Sequence, residues 1–550
     1  MIGSMHRRTS LIATGLALSL VVAACAGAED PDAPVDEQPE AAPGEEVPGE
    51  EPAAEPTAEE IVLAVSSEPP TLSPHRVGHN EVNSVAMRNV YEALVDRDPE
   101  TGELIPLLAT SWEELAEDHW RFHLREGVTF HDGEPFNADA AINAFEFIVH
   151  PDTIEGVGRQ YVGPDMSFEA VDDYTLDVLT DGPDPIVPLR MFFLHIFSPD
   201  AGGDNPEEEL AEHAVGTGPY TLVEWVRGQH LTLEANPDWW GHDDPDGNGE
   251  VIYSQARFEF RAEGSVRASM VEAGEADFAM WLGPDECSRL DDRGETRCSV
   301  SAAPNTIFMR FDALNEESML TDPRIREAIT LAVDMDLLIE QILDGEPVRA
   351  SQIVTPGVLG YADDLEPYGY DPDRARELLA EYEADGNQIA DVTWAFQEDR
   401  FPRVREFVQA AAAMIEDIGI SVEILEQETA VLLEEFHPPN QPSNRIKLHT
   451  HGNPLGDLGA SLGTYFVEPG EPGNPGCWCD DPELFAMIDE AGVLSGEERS
   501  AAMEEISRHI HEQRYMDFGG HTSHAYGLSD QLDWDPPLDH FFRLKHMAPR

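Results

Sequence analysis

Lysine is almost missing. Lys447 and Lys545 are the only two among 550 residues, and Lys plus Arg total 33 against 109 Asp plus Glu, a formal net charge of −76. That deficit excludes nucleic acid as a partner, because binding phosphates requires clustered cations. It suggests instead a solvated acidic shell suited to salt, where screening relieves self-repulsion. Cysteine is scarce too, at five residues, and no two share the C-x-x-C spacing of a zinc framework. The chain lacks internal repeats, so it is not a solenoid. Residues 26–60 contain no aromatic side chain. Rich in Ala, Pro, Glu, Asp and Gly, they bury too little apolar surface to offset ordering entropy and read as an extended acidic tether.

Arg7 and Arg8 precede an apolar stretch from Leu11 to Val22, and Val22-Ala23-Ala24 leads into Cys25. The stretch is shorter than the roughly 20 residues that span a bilayer. A basic start, a short apolar run and small residues before a cysteine resemble a bacterial lipoprotein signal. Residues 1–25 are then a leader, with Cys25 as the lipidated first residue of the mature chain, held on the outer face of the cell membrane. Arg7-Arg8 also resembles a twin-arginine export signal, although Ser10 stands where a large apolar residue is usual.

Beyond the tether, 41% of the chain is hydrophobic, enough for several lobes. Ile61-Val62-Leu63-Ala64-Val65 predicts a buried strand. Trp120, Phe122 and Leu124 alternate with charged residues ahead of an Asp132-Gly133 turn, predicting a half-buried antiparallel element. Leu222-Val223-Glu224-Trp225 and Leu231-Thr232-Leu233 predict further sheet. Asn137 and Asp371-Pro372 predict helix starts, and Ser495 with Glu498 predicts a capping box before Met503, Ile506 and Ile510. The fold class is α/β. In an oxidising compartment Cys287, Cys298, Cys477 and Cys479 are disulfide candidates. Cys287 with Cys298 closes a short loop; Cys477 with Cys479 needs a strained ring, so cross-pairing stays open.

Several segments in order resemble the family 5 extracellular solute-binding proteins of ABC importers, the oligopeptide, dipeptide and nickel binders. They include Val90-Tyr91-Glu92-Ala93-Leu94-Val95, Leu108-Ala109-Thr110-Ser111-Trp112, Phe122-His123-Leu124-Arg125-Glu126-Gly127-Val128-Thr129-Phe130-His131-Asp132-Gly133, Gly216-Thr217-Gly218-Pro219-Tyr220 and Asn236-Pro237-Asp238-Trp239-Trp240-Gly241. Gly216 and Gly218 are expected to permit a tight backbone crossing between lobes. The resemblance implies a class II periplasmic-binding-protein-like fold of two α/β lobes with mixed sheets, a hinge and an extra domain. Residues 61–92, 214–305 and 515–550 would form lobe I, 93–213 the extra domain and 306–514 lobe II. It further implies a monomeric extracytoplasmic receptor that captures a peptide or peptide-like small solute and delivers it to ABC permease subunits, with no cofactor and no catalysis.

Within that resemblance Asp457 matches the aspartate that faces a peptide's α-ammonium group. His451 falls where relatives carry Trp, and Leu458 replaces Pro, which leaves Asp457 open to a hydroxyl or another cation. Asn453 lies in the same loop. Trp281, Trp394, Tyr465, Phe466 and Trp478 are the expected cleft-wall aromatics. A metal chelate or a sugar is the alternative ligand. The competing classes are a secreted hydrolase using Ser461 of Gly459-Ala460-Ser461-Leu462-Gly463, which fits G-x-S-x-G, and a sensor or adhesin without a transport role. No metal is expected. The weak candidates are Asp244, Asp246 and Asn248, spaced like the start of a calcium loop with Gln255 where its Glu should stand, and paired histidines such as His449 and His451 or His521 and His524.

Overall fold

The computed structural model of the chain describes residues 58–74, 81–149, 166–203, 206–243, 251–343, 345, 347–397, 400–401, 403–427, 443–468 and 478–550. The leader, Cys25, most of the 26–60 segment, the loop with Asp244, Asp246 and Asn248, and Cys477 lie outside those residues.

Eleven strands join in one large mixed sheet. In chain order they are β1 (Ala58–Val65), β2 (Tyr220–Val226), β3 (His230–Ala235), β4 (Tyr253–Phe260), β5 (Phe278–Ala279), β6 (Thr296–Phe311), β7 (Val348–Arg349), β8 (Val392–Phe396), β9 (Val422–Glu426), β10 (Arg445–Gly452) and β11 (Met516–Ser529). Their spatial order is β9-β8-β10-β6-β11-β5-β1-β4-β3-β2, with β7 beside β11. β1 lies parallel to β4 and β5, and β8 lies parallel to β9 and β10. The two longest strands, β6 and β11, run antiparallel to each other between these groups. Apolar cores collect separately on the two sides. One holds Leu63, Leu231 and Phe258; others hold Met309, Trp394 and Phe407, or Phe308, Leu462 and Ile506. Two strands threading both halves of a sheet with separate cores make an α/β fold of two lobes.

The expected strand at Ile61 is the inner part of β1, which starts at Ala58. The Trp120 alternation is a strand, His119–Leu124, whose burial alternates with its sequence. It sits in a four-stranded sheet between Ala109–Ala116 and Thr175–Leu179. Asn137 accepts from the amide of Ala140 at 2.9 Å, and Asp371 from that of Arg374 at 3.0 Å, capping their helices as expected. The capping box does not form. Ser495 makes no capping hydrogen bond, and Gly496 next to it takes a left-handed φ of 58°, which turns the backbone before the helix proper. Cys287 and Cys298 form a disulfide with Cα atoms 5.2 Å apart. Cys479 is disulfide-bonded as well, to a partner outside the described residues. Among the described residues no helix is long and apolar enough to cross a membrane.

Gly216 and Gly218 do permit a close approach, and it is to the Asn89–Tyr91 backbone. A Cβ at Gly216 would lie 2.2 Å from the Val90 carbonyl oxygen, and one at Gly218 2.7 Å from that of Asn89. This crossing brings Thr217 onto buried Glu92, whose Oε2 accepts from Thr217 Oγ1 at 2.7 Å and from Trp240 Nε1 at 2.8 Å, while Oε1 accepts from Trp239 Nε1 at 3.1 Å. Burial nevertheless pushes the Glu92 carboxyl up to about 7. Glu92→Gln is expected to cost about 1–3 kcal/mol at pH 5, since an amide nitrogen cannot accept from an indole or hydroxyl. A carboxyl raised in the fold contributes stability that is full below its unfolded pKa and lost as pH rises through the folded one. The gap between wild type and variant should therefore shrink from pH 5 to pH 8 in urea melts followed by tryptophan fluorescence.

Candidate functional site

The polar residues that the apolar pattern does not explain gather where β10, β6 and β11 lie side by side. Thr306 of β6 is directly opposite His451 of β10 on one flank and His521 of β11 on the other. Directly opposed residues project from the same face of a sheet. The register thus places Lys447, His449 and His451 beside Arg310, Phe308 and Thr306 on that face. The opposite face carries Ile307, Met309, Ile446 and Leu448 into a hydrophobic core.

The polar face is covered by helix α1 (Leu458–Tyr465), which is followed by α2 (Pro482–Gly492) and α3 (Gly496–Gln513). The Tyr465 ring meets Phe308 edge-on at 5.4 Å and His451 at 4.9 Å. His449 stacks on Phe308 at 5.4 Å. Trp478 lies 4.7 Å from the Arg310 guanidinium and 4.9 Å from the Lys447 ammonium, both within cation–π range. Burial lowers Arg310 to about 9. Burial, then the charges of Arg310 and Lys447, hold His449 well below the usual imidazole range. Burial alone lowers His451 to about 4, so both rings are neutral at physiological pH.

A loop connects β10 to α1. His451 Nε2 and Asn453 Nδ2 each lie 2.8 Å from Ser461 Oγ, and Asn453 Nδ2 also donates to the Asp457 carbonyl oxygen at 2.8 Å. Asp457 caps α1, accepting from the Gly459 amide at 2.7 Å. Its two oxygens also receive Arg499 of α3, Nε at 2.8 Å and Nη2 at 2.9 Å. Both side chains of that pair are almost fully buried. On the outer side of the loop, Arg97 donates to the carbonyl oxygens of Pro454 at 2.8 Å and Leu455 at 2.6 Å. Leu455 itself packs into the core that contains β1. A cavity of about 260 Å³ lies between the 180–186 segment and α1 to α3, lined in part by Arg190, Leu462, Arg499 and Met503.

The structure brings His451, Asn453, Asp457 and Tyr465 together, with Trp478 joined through Arg310. Trp281 stands apart from that group, at a left-handed φ of 49° after β5, with its ring 5.2 Å from His524 of β11. Arg267 fixes this turn by donating to the carbonyl oxygens of Met280 and Trp281, each at 2.7 Å. Three expected wall residues lie in cores, Tyr465 among them through its packing on Phe308. Trp394 faces the core beyond the sheet with no exposed surface, because β8 is covered on that side by helices. Phe466 ends α1 among Leu462, Leu484 and Ile506. Asp457 differs from the expected ammonium anchor in that its carboxylate is held by Arg499 and the helix amide. Sequence reasoning missed Arg499, although a signal existed: it is the basic residue in the apolar stripe Met503, Ile506, Ile510 of α3.

The Ser461–His451 contact has the distance of a nucleophile and its base, but not the setting. Ser461 is wholly buried inside α1, four residues past its cap and well beyond the end of β10. A nucleophile elbow needs an exposed serine at a strand-to-helix turn. Its neutral partner serves here as a hydrogen-bonding ring.

The profile of bacterial extracellular solute-binding proteins, family 5 Middle, matches residues 103–451. The dipeptide-binding protein of Escherichia coli (strain K12) is 25% identical over 397 residues, 68% of this chain and 72% of that protein. The structure of HbpA2 from Haemophilus parasuis superposes with a TM-score of 0.77 at 20% identity, covering 90% of this chain and 100% of that one. NikA from Brucella suis in complex with Fe(III)-EDTA superposes at 0.74 with 21% identity, covering 89% and 100%. With its profile matched over more than half its length, the chain belongs to the bacterial extracellular solute-binding proteins of family 5.

Proposed function

We propose that this chain is the receptor subunit of an ABC importer, taking a peptide or peptide-like small solute between its lobes and delivering it to the permease. Family membership makes it an extracytoplasmic binding component rather than an enzyme. The observation that carries the peptide reading is the stripe of neutral hydrogen-bonding groups, His451, Thr306 and His521, crossing the strands shared by both lobes, flanked by Tyr465. Such a stripe suits amide and carbonyl groups of a short backbone, with aromatic walls for its side chains. The relative named above for dipeptides supports that class, and the neighbour solved with Fe(III)-EDTA keeps a chelate as the second reading.

On this reading residues 61–92, 214–305 and 515–550 form one lobe, 93–213 the extra domain and 306–514 the other lobe. The Arg97 contacts with Pro454 and Leu455 then belong to a closed trap, and solute acts by favouring that state. Asp457 acts as a positioning group for the site loop. Lipidation at Cys25 and the acidic tether would hold a single copy near the permease and raise its effective concentration there. Thermal-shift screening of the full chain with di- to pentapeptides, maltotriose and a nickel–histidine chelate tests the proposal. A peptide is expected to raise the melting temperature in a concentration-dependent way; a response to the sugar or chelate alone overturns the peptide reading.

A further inference from the structure

We propose that His521 is a specificity-determining residue of the cleft, whose Nε2 makes a hydrogen bond with a carbonyl or hydroxyl of the captured solute. The proposal rests on the receptor reading above and names one of its contacts. His521 is 4% exposed, and its Nδ1 lies 2.9 Å from Thr306 Oγ1. Its Nε2 is buried and has no hydrogen-bond partner among the described residues. This contrasts with His451 at the other end of the same row, whose Nε2 is held by Ser461. Burial lowers the His521 imidazole to about 4, so at neutral pH Nε2 is a single donor or a single acceptor, whichever Thr306 leaves to it.

The register shows how a solute would reach that nitrogen. Beyond His521 the row continues to Val348 of β7, directly opposite it and 64% exposed. The face is therefore covered at the His451 end and open at the Val348 end, with His521 between them. Nearby, the pairing of β6 with β11 shifts between Ala302 and Thr306. An irregular ladder of this kind re-aims side chains and is common beside binding sites. A buried, unsatisfied ring nitrogen destabilises a protein without its ligand. It is tolerable where a ligand completes the hydrogen bond.

The test compares wild type, His521→Phe and His521→Gln as full chains, with ligand-free melting curves and titration calorimetry against the peptide panel. His521→Phe keeps an aromatic ring but removes both nitrogens, the unsatisfied Nε2 and the Nδ1 that bonds Thr306, so its ligand-free melt is read in a Thr306→Val background, where that bond is already gone. In the Thr306→Val background its ligand-free melting temperature is expected to stay unchanged or rise, while in the wild-type background its affinity for the tightest peptide falls by about ten-fold or more. His521→Gln, which has both a donor and an acceptor, should regain part of the affinity. Undiminished binding by the Phe variant overturns the proposal. So does a lower ligand-free melt in the Thr306→Val background, which would mark the ring as scaffold. If wild type binds no peptide, the peptide reading fails, and the ligand-free melt of the Phe variant in the Thr306→Val background decides this one: a rise or no change upholds the unsatisfied nitrogen, and a fall overturns it.

Discussion

Arg543→Met is expected to destabilise the folded chain by about 3–5 kcal/mol at pH 7, because it leaves two buried carboxylates without their shared cation. Arg543 is 1% exposed. Its Nη2 lies 2.7 Å from Asp96 Oδ1 and 2.6 Å from Asp539 Oδ2, with Nε and Nη1 adding bonds of 3.0 and 3.1 Å. Burial alone would push both carboxyls up. The guanidinium overrides it, with Lys545 assisting at Asp96, so that Asp96 lies well below the usual carboxylate range and Asp539 is lowered as well. The triad ties residues near the C-terminus to the short strand Val95–Arg97, so its loss loosens long-range packing.

Carboxyls depressed in the fold contribute stability that is present above their unfolded pKa, about 3.9, and lost as pH falls through the folded value. In the Met variant Asp539 loses its pairing with Arg543 and Asp96 keeps that with Lys545, so burial raises both carboxyls relative to wild type and they take up protons earlier. The gap between wild type and variant should therefore narrow steadily from pH 7 to pH 3.5 in urea melts. Arg550→Met is the control. It pairs with Asp530 at 3.3 Å but is 46% exposed, and its loss should stay within about 1 kcal/mol. Equal losses for the two variants would show that the buried triad carries no special weight.

What was legible in the sequence was local. A cap such as Asp371 acts on an amide three residues away, and the alternation around Phe122 needs only one half-buried strand. Trp394 was misplaced because a strand with a run of apolar residues shows no preferred face, and only its pairing with Ile446 shows which core it enters. Ser461 sits in a G-x-S-x-G pattern, but the pattern is silent on whether the serine tops a turn or lies inside a helix. The stripe of Thr306, His451 and His521 joins residues up to 215 positions apart. No periodicity predicts it, because register between distant strands creates it. Arg499 and Asp457, 42 residues apart, became partners only through the packing of α3 on α1.

The second large effect is expected at that pair. Arg499→Met should cost about 3–5 kcal/mol by stranding a buried carboxylate. It also removes the 2.8 Å bond from Nη1 to the Ala491 carbonyl oxygen near the end of α2. Asp457→Ala should cost at least as much, since it strands the guanidinium and removes the cap of α1, itself worth about 1 kcal/mol. In the double variant Asp457→Ala with Arg499→Met no buried charge is left unpaired. Its loss should fall well short of the sum of the single replacements, giving a coupling energy of about 1–3 kcal/mol in a double-mutant cycle. Solute affinity separates this role from an ammonium anchor. Asp457→Asn keeps an oxygen for the Gly459 amide and removes the charge. If the carboxylate serves Arg499, this variant loses stability while peptides with free and acetylated amino termini keep the same relative affinity as in wild type. If the carboxylate instead receives the solute's ammonium, only the free-amine peptide weakens, by about ten-fold or more. The two outcomes assign the buried charge either to the scaffold of the site loop or to the solute.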